Sequence, residues 1–227
     1  MLERFALSCP IGEVAAFTRG VPDGASGWKP SYRFGPGAGI LILRQSTLAV
    51  PARRELQLAS WGFVPEWASG ELSPVASVGI ERISRNGLFR DAARARRCLI
   101  PMSGYFEWQP GRGEAVPYFV HGFEPMIAAL GVYTAKTVGR RNLFSVAVVT
   151  RDAPNPRRKV PALLQQNDWD AWLGSEPARK PTDFFVQPSA ATRRLTDELL
   201  RHRVSPRIGA PNPRNVESLI APVSVDS

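Results

Sequence analysis

Apolar residues in this chain fall mostly in short alternating runs separated by turn residues, the pattern of strands with one buried face. Strands are predicted over 2–6, 40–43, 46–50, 56–63, 99–108 (one strand or a strand pair), 118–121, 126–133 and 143–150. The last three are apolar and partly β-branched or aromatic, as strands prefer. Residues 40–43 and 46–50 read as a hairpin around Arg44-Gln45. Helical spacing appears instead over 11–19, where Ile11, Val14, Ala15 and Phe17 share a face, and over 88–97 and 193–202. A shorter helix carrying Trp169 and Trp172 follows Asn167 or Asp168 as its N-cap. Residues 20–39 are turn-rich and predict irregular chain, and 174–181 predict a loop. No repeat, low-complexity tract or linker interrupts the pattern. The economical reading is one β-rich α+β domain over 1–227.

One position stands against the apolar pattern. Glu107 lies inside Gly104-Tyr105-Phe106-Glu107-Trp108, after the apolar run Cys98-Leu99-Ile100-Pro101-Met102. A carboxylate there loses hydration, which favours its protonated form. Leaving such a charge unpaired costs on the order of several kcal/mol. Glu107 is therefore either paired with a cation or poised for proton transfer.

Composition narrows the partner. The 227 residues, 44% of them hydrophobic, are ample for a packed core. The net charge is +9 and most of the excess is arginine, whose planar guanidinium suits phosphate and aromatic faces. A nucleic acid or other polyanion is the natural partner. Charge alone is equally consistent with a basic, soluble surface. The cysteines, Cys9 and Cys98, form neither a metal spacing nor a disulfide framework, which fits a reduced cytoplasmic compartment. The only histidines, His121 and His202, exclude paired-histidine zinc sites and sit in no nucleophile–base context. No cofactor or metal is expected, no stretch spans a bilayer, and the first residues lack signal-peptide order.

Four segments then line up. They are Met1-Leu2-Glu3-Arg4-Phe5; Trp61-Gly62-Phe63-Val64-Pro65-Glu66-Trp67-Ala68; Phe89-Arg90-Asp91-Ala92 through Arg96-Arg97-Cys98-Leu99-Ile100-Pro101 to the Glu107 strand; and Val160-Pro161-Ala162-Leu163-Leu164 followed by Trp169, Trp172 and Leu173. Asn215-Val216-Glu217-Ser218-Leu219-Ile220 extends the match towards the C-terminus. In this order and spacing the chain resembles the SOS response-associated peptidase (SRAP) family. The resemblance implies an open-barrel-like, β-rich core with peripheral helices. It also implies a positively charged channel, and single-stranded DNA with abasic sites as the partner. A cytoplasmic, nucleoid-associated protein is expected on that reading.

The chain departs from the family where the chemistry lies. The family carries a cysteine directly after the initiator methionine, whose thiol and α-amine close a thiazolidine ring on the abasic aldehyde. Leu2 stands there, and its bulk predicts that Met1 is retained. The family's Asn-Ala-Arg-x-Glu segment falls on Ser77-Val78-Gly79-Ile80-Glu81, so Ser77 replaces the asparagine and Gly79 the phosphate-binding arginine. Arg82 beside Glu81 is a shifted phosphate contact. The active-site histidine before Asp-Arg-Met-Pro corresponds to Arg157 in Arg157-Arg158-Lys159-Val160-Pro161. Arg33, in Tyr32-Arg33-Phe34-Gly35-Pro36, takes the place of another family asparagine.

Glu107, Arg4, Trp61, Trp67 and Lys159 are retained. The resemblance makes Glu107 the catalytic candidate. It assigns DNA contacts to Arg4, Arg33, Trp67, Ser77, Glu81, Arg82, Arg157, Arg158 and Lys159. Candidate partners for Glu107 are Arg4, Arg157 and the N-terminal amine. Arg90, Arg94, Arg96 and Arg97 either track a DNA backbone or form a solvated helix face. Three functional readings follow. The first is a DNA-binding protein of the damage (SOS) response that has lost stable cross-linking. The second is an enzyme forming a reversible Schiff base through the N-terminal amine, with Glu107 moving the proton. The third is a non-enzymatic protein-interaction module.

Overall fold

The computed structural model describes residues 3–46, 52–68, 72–111, 113–139, 141–153, 158–174 and 188–223. In chain order the first elements are β1 (Phe5–Leu7), α1 (Ile11–Thr18), β2 (Val21–Gly24), β3 (Ser31–Phe34), β4 (Gly39–Gln45), β5 (Arg54–Trp61) and β6 (Ser77–Gly79). They are followed by α2 (Arg90–Ala95), β7 (Arg97–Met102), β8 (Gly104–Gln109), β9 (Val116–His121), β10 (Ile127–Val138) and β11 (Arg141–Asp152). The last are β12 (Lys159–Pro161), α3 (Trp169–Leu173), a helix at Ala190–Asp197, here α4, and β13 (Leu200–Arg203).

The longest strands form a ring. β11 pairs with β10, β10 with β7, β7 with β4 and β4 with β5, and β5 returns to β11. The return is parallel, Ala59–Trp61 against Phe144–Val146, and it closes the barrel, where the family resemblance implied an open-barrel-like core. Closure leaves no free edge on those strands. Both faces of these strands are buried: Ile40, Ile42, Val146 and Val148 share one face, and Leu99 and Leu130 the other. A second sheet, β13-β9-β8-β1-β3, stands beside the ring.

β7 and β8 are consecutive yet lie in different sheets, so of the two readings of 99–108 the strand pair holds. The chain turns at Ser103, whose N–H donates to the Ala6 carbonyl at 2.7 Å. Gly104 follows because a Cβ there would overlap the Val120 carbonyl and the Phe119 ring. Trp61 joins the sheets: it is fully buried, its ring is 5.2 Å from Phe5, and its Nε1 donates to the Ala76 carbonyl at 2.9 Å.

Several boundaries differ from expectation. Residues 20–39 contain β2 and β3, held by backbone pairing with β5 and β1 despite weak apolar patterning. β4 continues through Arg44-Gln45 against β5 in place of turning, because Arg44 pairs with Glu55 and Gln45 with Arg54; residues 47–50 lie outside the described set. The helix expected over 88–97 ends at Ala95, since Arg97 opens β7 opposite Val132. The one expected over 193–202 begins earlier, where the Ser189 hydroxyl accepts from the Thr192 N–H, and its last third becomes β13 on β9. Asp168 takes the N-cap place of α3 without a side-chain cap bond; its carboxylate instead accepts from Ser189 and Thr192 at 2.5 and 2.6 Å. Of the loop expected over 174–181, only Gly174 is described. Among the described residues no helix is long and apolar enough to cross a membrane.

Candidate nucleic-acid interface

Alternation along β8 sets the site. Phe106 turns into a small cluster with Phe119, Val204 and Ile208, while Tyr105 packs into the main core. Glu107 continues the Tyr105 face and opens into a cleft. Its side chain is 14% exposed and accepts a hydrogen bond from the Arg158 guanidinium at 2.8 Å. Arg158 is fixed just ahead of β12 by its own carbonyl, which accepts from the Ala153 N–H at 2.9 Å. Glu107 is thus an ion-paired carboxylate whose partner here, Arg158, was not among the three expected; of those, Met1 and Arg157 lie outside the described residues. Burial first, and then the nearby Glu107 charge, pushes the Tyr105 phenol up, while Arg151 and Arg158 oppose the shift.

The cleft has a volume of about 640 Å³. Arg151 at the end of β11, Arg158, Arg193 on α4 and Arg201 on β13 line it, against two carboxylates, Glu107 and Asp197. Arg201 lies over the Tyr118 ring at 5.9 Å, and Arg151 Nε is buried without a partner. Guanidiniums with unused donors are suited to phosphate oxygens. Sequence reading missed Arg151, Arg193 and Arg201. They sit on three separate elements and share no motif; only the arginine excess announced them.

Arg158 and Lys159 part company because strand neighbours face opposite sides. The Lys159 ammonium bonds Glu81 and Asp152, each at 2.9 Å, away from Glu107. The Asp152 bond first, helped by Glu81, holds it above the usual lysine value against the opposing effect of burial. Ser77 and Gly79 lie on β6 beside β11, and the Glu81 carboxylate occupies the space a side chain at Gly79 would need.

Arg4 and Arg33 form another group. The Arg4 carbonyl accepts from the Phe106 N–H at 3.1 Å, and its guanidinium lies over the Trp108 ring at 5.3 Å. Its ion-pair partner is Glu3 at 3.7 Å, so Arg4 does not pair with Glu107. Arg33 Nε is buried and unpartnered, and burial, then the Arg4 charge, lowers its pKa. Trp67 is 71% exposed in the turn after β5, next to the Glu66–Arg96 bridge at 2.8 Å. Arg82 is exposed. Arg97, expected on an open helix face, is buried against Trp172 at 5.6 Å. Trp61, Trp169 and Trp172 are core residues, while Trp108 is half-buried. Leu2 and Arg157 lie outside the described residues.

Known proteins share this architecture. A structure from Bacteroides thetaiotaomicron superposes with a TM-score of 0.76 at 19% identity, covering 97% of this chain and 99% of that one. One from Bordetella bronchiseptica gives a TM-score of 0.69 at 19% identity, covering 90% and 100%. In sequence, an abasic site processing protein of Saccharomyces cerevisiae is 23% identical over 171 residues; the match takes in 70% of this chain but 44% of that protein's length. An abasic site processing protein of Bacillus subtilis is 22% identical over 213 residues, covering 87% of this chain and 89% of its own. The model of the SOS response associated peptidase (SRAP) family matches residues 1–211, which take in the barrel and its companion sheet, and the chain belongs to that family.

Proposed function

We propose that this chain binds single-stranded DNA, abasic sites included, along the Glu107 cleft, and that it does so without a stable covalent bond. The observation that carries the reading is the Glu107–Arg158 ion pair at 2.8 Å inside a cleft walled by Arg151, Arg193 and Arg201. A carboxylate engaged by a guanidinium serves as an anchor for that cation and not as a free proton carrier. The surrounding arginines offer donors to phosphate oxygens. Leu2 supplies no thiol for ring closure on an aldehyde. Relatives named as abasic site processing proteins support damaged DNA as the ligand. Arg4, Arg33, Arg82 and the open face of Trp67 extend the contact surface, and a base stacked on Trp67 would contribute about 1–3 kcal/mol. The protein acts in the response to DNA damage.

The test is a denaturing gel with single-stranded DNA carrying one abasic site, run with and without borohydride. Leu2→Cys and Glu107→Ala variants run alongside, and a native gel reports binding. The expected result is native-gel binding with no adduct in either condition. A heat-stable adduct without borohydride sinks the proposal. An adduct that needs borohydride shows that the N-terminal amine is live and replaces the binding-only reading with the Schiff-base enzyme.

A further inference from the structure

Helix α4 separates two unlike cavities. Arg193 and Asp197 face the arginine-rich cleft, whereas Leu195 and Glu198 line a second pocket of about 480 Å³. That volume lies within the range of about 300–1,000 Å³ usual for ligand sites. Its floor is apolar: Phe17, Met126, Leu164, Trp169 and Leu195. Phe17 and Trp169 meet edge to face at 5.4 Å, which stiffens one wall. The turn between β9 and β10 makes the rim and holds Phe123, which is 73% exposed.

The charge at this rim is opposite to that of the chain. The chain carries +9, yet the charged residues lining this pocket are Glu124 and Glu198. Among the described residues, Glu198 has only Arg194, one turn back on its own helix, at 4.0 Å. Glu124 has no ion-pair partner among the described residues. Exposed carboxylates beside an exposed phenylalanine repel DNA. They complement a cationic segment that brings an apolar side chain for the floor.

We propose that this pocket docks a short segment of a partner protein in which one leucine or phenylalanine is flanked by lysine or arginine. The apolar side chain fills the floor between Met126, Trp169 and Leu195, as buried anchors do in peptide-binding pockets. The flanking cations meet Glu124 and Glu198. The site is separate from the DNA cleft in both position and sign of charge, so it stands independently of the DNA reading.

The probe is a fluorescein-labelled peptide, Arg-Lys-Leu-Phe-Lys-Arg, titrated with the full chain and followed by anisotropy. A control peptide carries Ser-Ser in place of Leu-Phe. The chain variants are Glu124→Lys combined with Glu198→Lys, both at exposed positions, with thermal melts confirming the fold. The expected result is saturable micromolar binding, weakened about tenfold by the double charge reversal, since each exposed pair contributes modestly. The Ser-Ser peptide binds at least as weakly. Absence of saturable binding overturns the proposal, as does binding the double variant leaves unchanged. Sedimentation supplies a further check: self-association abolished by Phe123→Ser would make a second copy of this chain the occupant and overturn it too.

Discussion

Arg158 reaches Glu107 across 2.8 Å from just ahead of β12, while Lys159, one residue on, turns to Glu81 and Asp152 on the other side. Strand alternation thus divides a run of cations between two acidic partners. The pair joins strand β8 of the smaller sheet to the β11–β12 end of the barrel system. It supports the fold and shapes the cleft at once, so its removal should register in both.

Replacing Arg158 with alanine leaves a largely buried carboxylate without its donor. The expected loss of stability is about 1–2 kcal/mol. It stays below the roughly 3–5 kcal/mol seen for fully buried pairs, because Arg158 keeps some solvent contact. Urea denaturation reads this as a lower midpoint with unchanged slope. Glu107→Gln together with Arg158→Ala should recover part of the loss. Equal midpoints for wild type and Arg158→Ala would mean the pair contributes nothing.

Phosphate contact in the cleft predicts a specific salt response. For single strands the slope of log affinity against log salt is about −0.7 per neutralised phosphate. Arg151→Ala, Arg193→Ala and Arg201→Ala should each reduce its magnitude by up to about 0.7. Lys159→Ala should change it less, because Glu81 and Asp152 already hold that ammonium. Anisotropy of a labelled oligothymidine over a salt series decides the matter. Slopes unchanged from wild type in all three arginine variants would place the DNA elsewhere.

Neither native cysteine substitutes for a reactive thiol. Cys98 is fully buried in β7 and Cys9 is nearly so, and burial pushes both thiols up. A folded sample at mildly alkaline pH should therefore react negligibly with an aromatic disulfide reagent, and both thiols should react in strong denaturant. Rapid labelling of native protein would contradict the buried placement.

The sequence made the barrel visible where burial is strong. In β10 and β11 the apolar pattern is dense, and both strands were anticipated with ends only a few residues short. β2 was missed because Val21-Pro22-Asp23-Gly24 has no buried face to announce; it exists through backbone pairing with β5. Barrel closure joins Ala59–Trp61 to Phe144–Val146, residues far apart in the chain that share no local signature. Glu107 was legible as an acid in an aromatic strand. Its partner was not, since only the path of the chain into β12 selects Arg158. Arg97 was read as tracking a DNA backbone or as part of a solvated helix face, but the early end of α2 makes it a buried strand residue under Trp172.

Acid should expose a second carboxylate cluster, on β5. Glu55 is 7% exposed and bonds Arg44 at 2.8 Å, Arg53 at 3.3 Å and Gln57 at 3.4 Å. Burial alone would raise its pKa, but the Ser46 hydrogen bond, the Arg44 charge and the Arg53 and Gln57 bonds outweigh it and lower it below the usual 4.5. The unfolded chain therefore binds a proton at Glu55 before the folded one does. The stabilisation is complete above about pH 4.5 and is lost as pH falls through the lower folded value. Glu55→Gln should be less stable than wild type near neutrality, and the gap should narrow as pH drops through that window. Urea midpoints from about pH 7 to about pH 3 test this linkage. A gap that stays constant into acid would mean that the ionised form of Glu55 is not what the cluster stabilises.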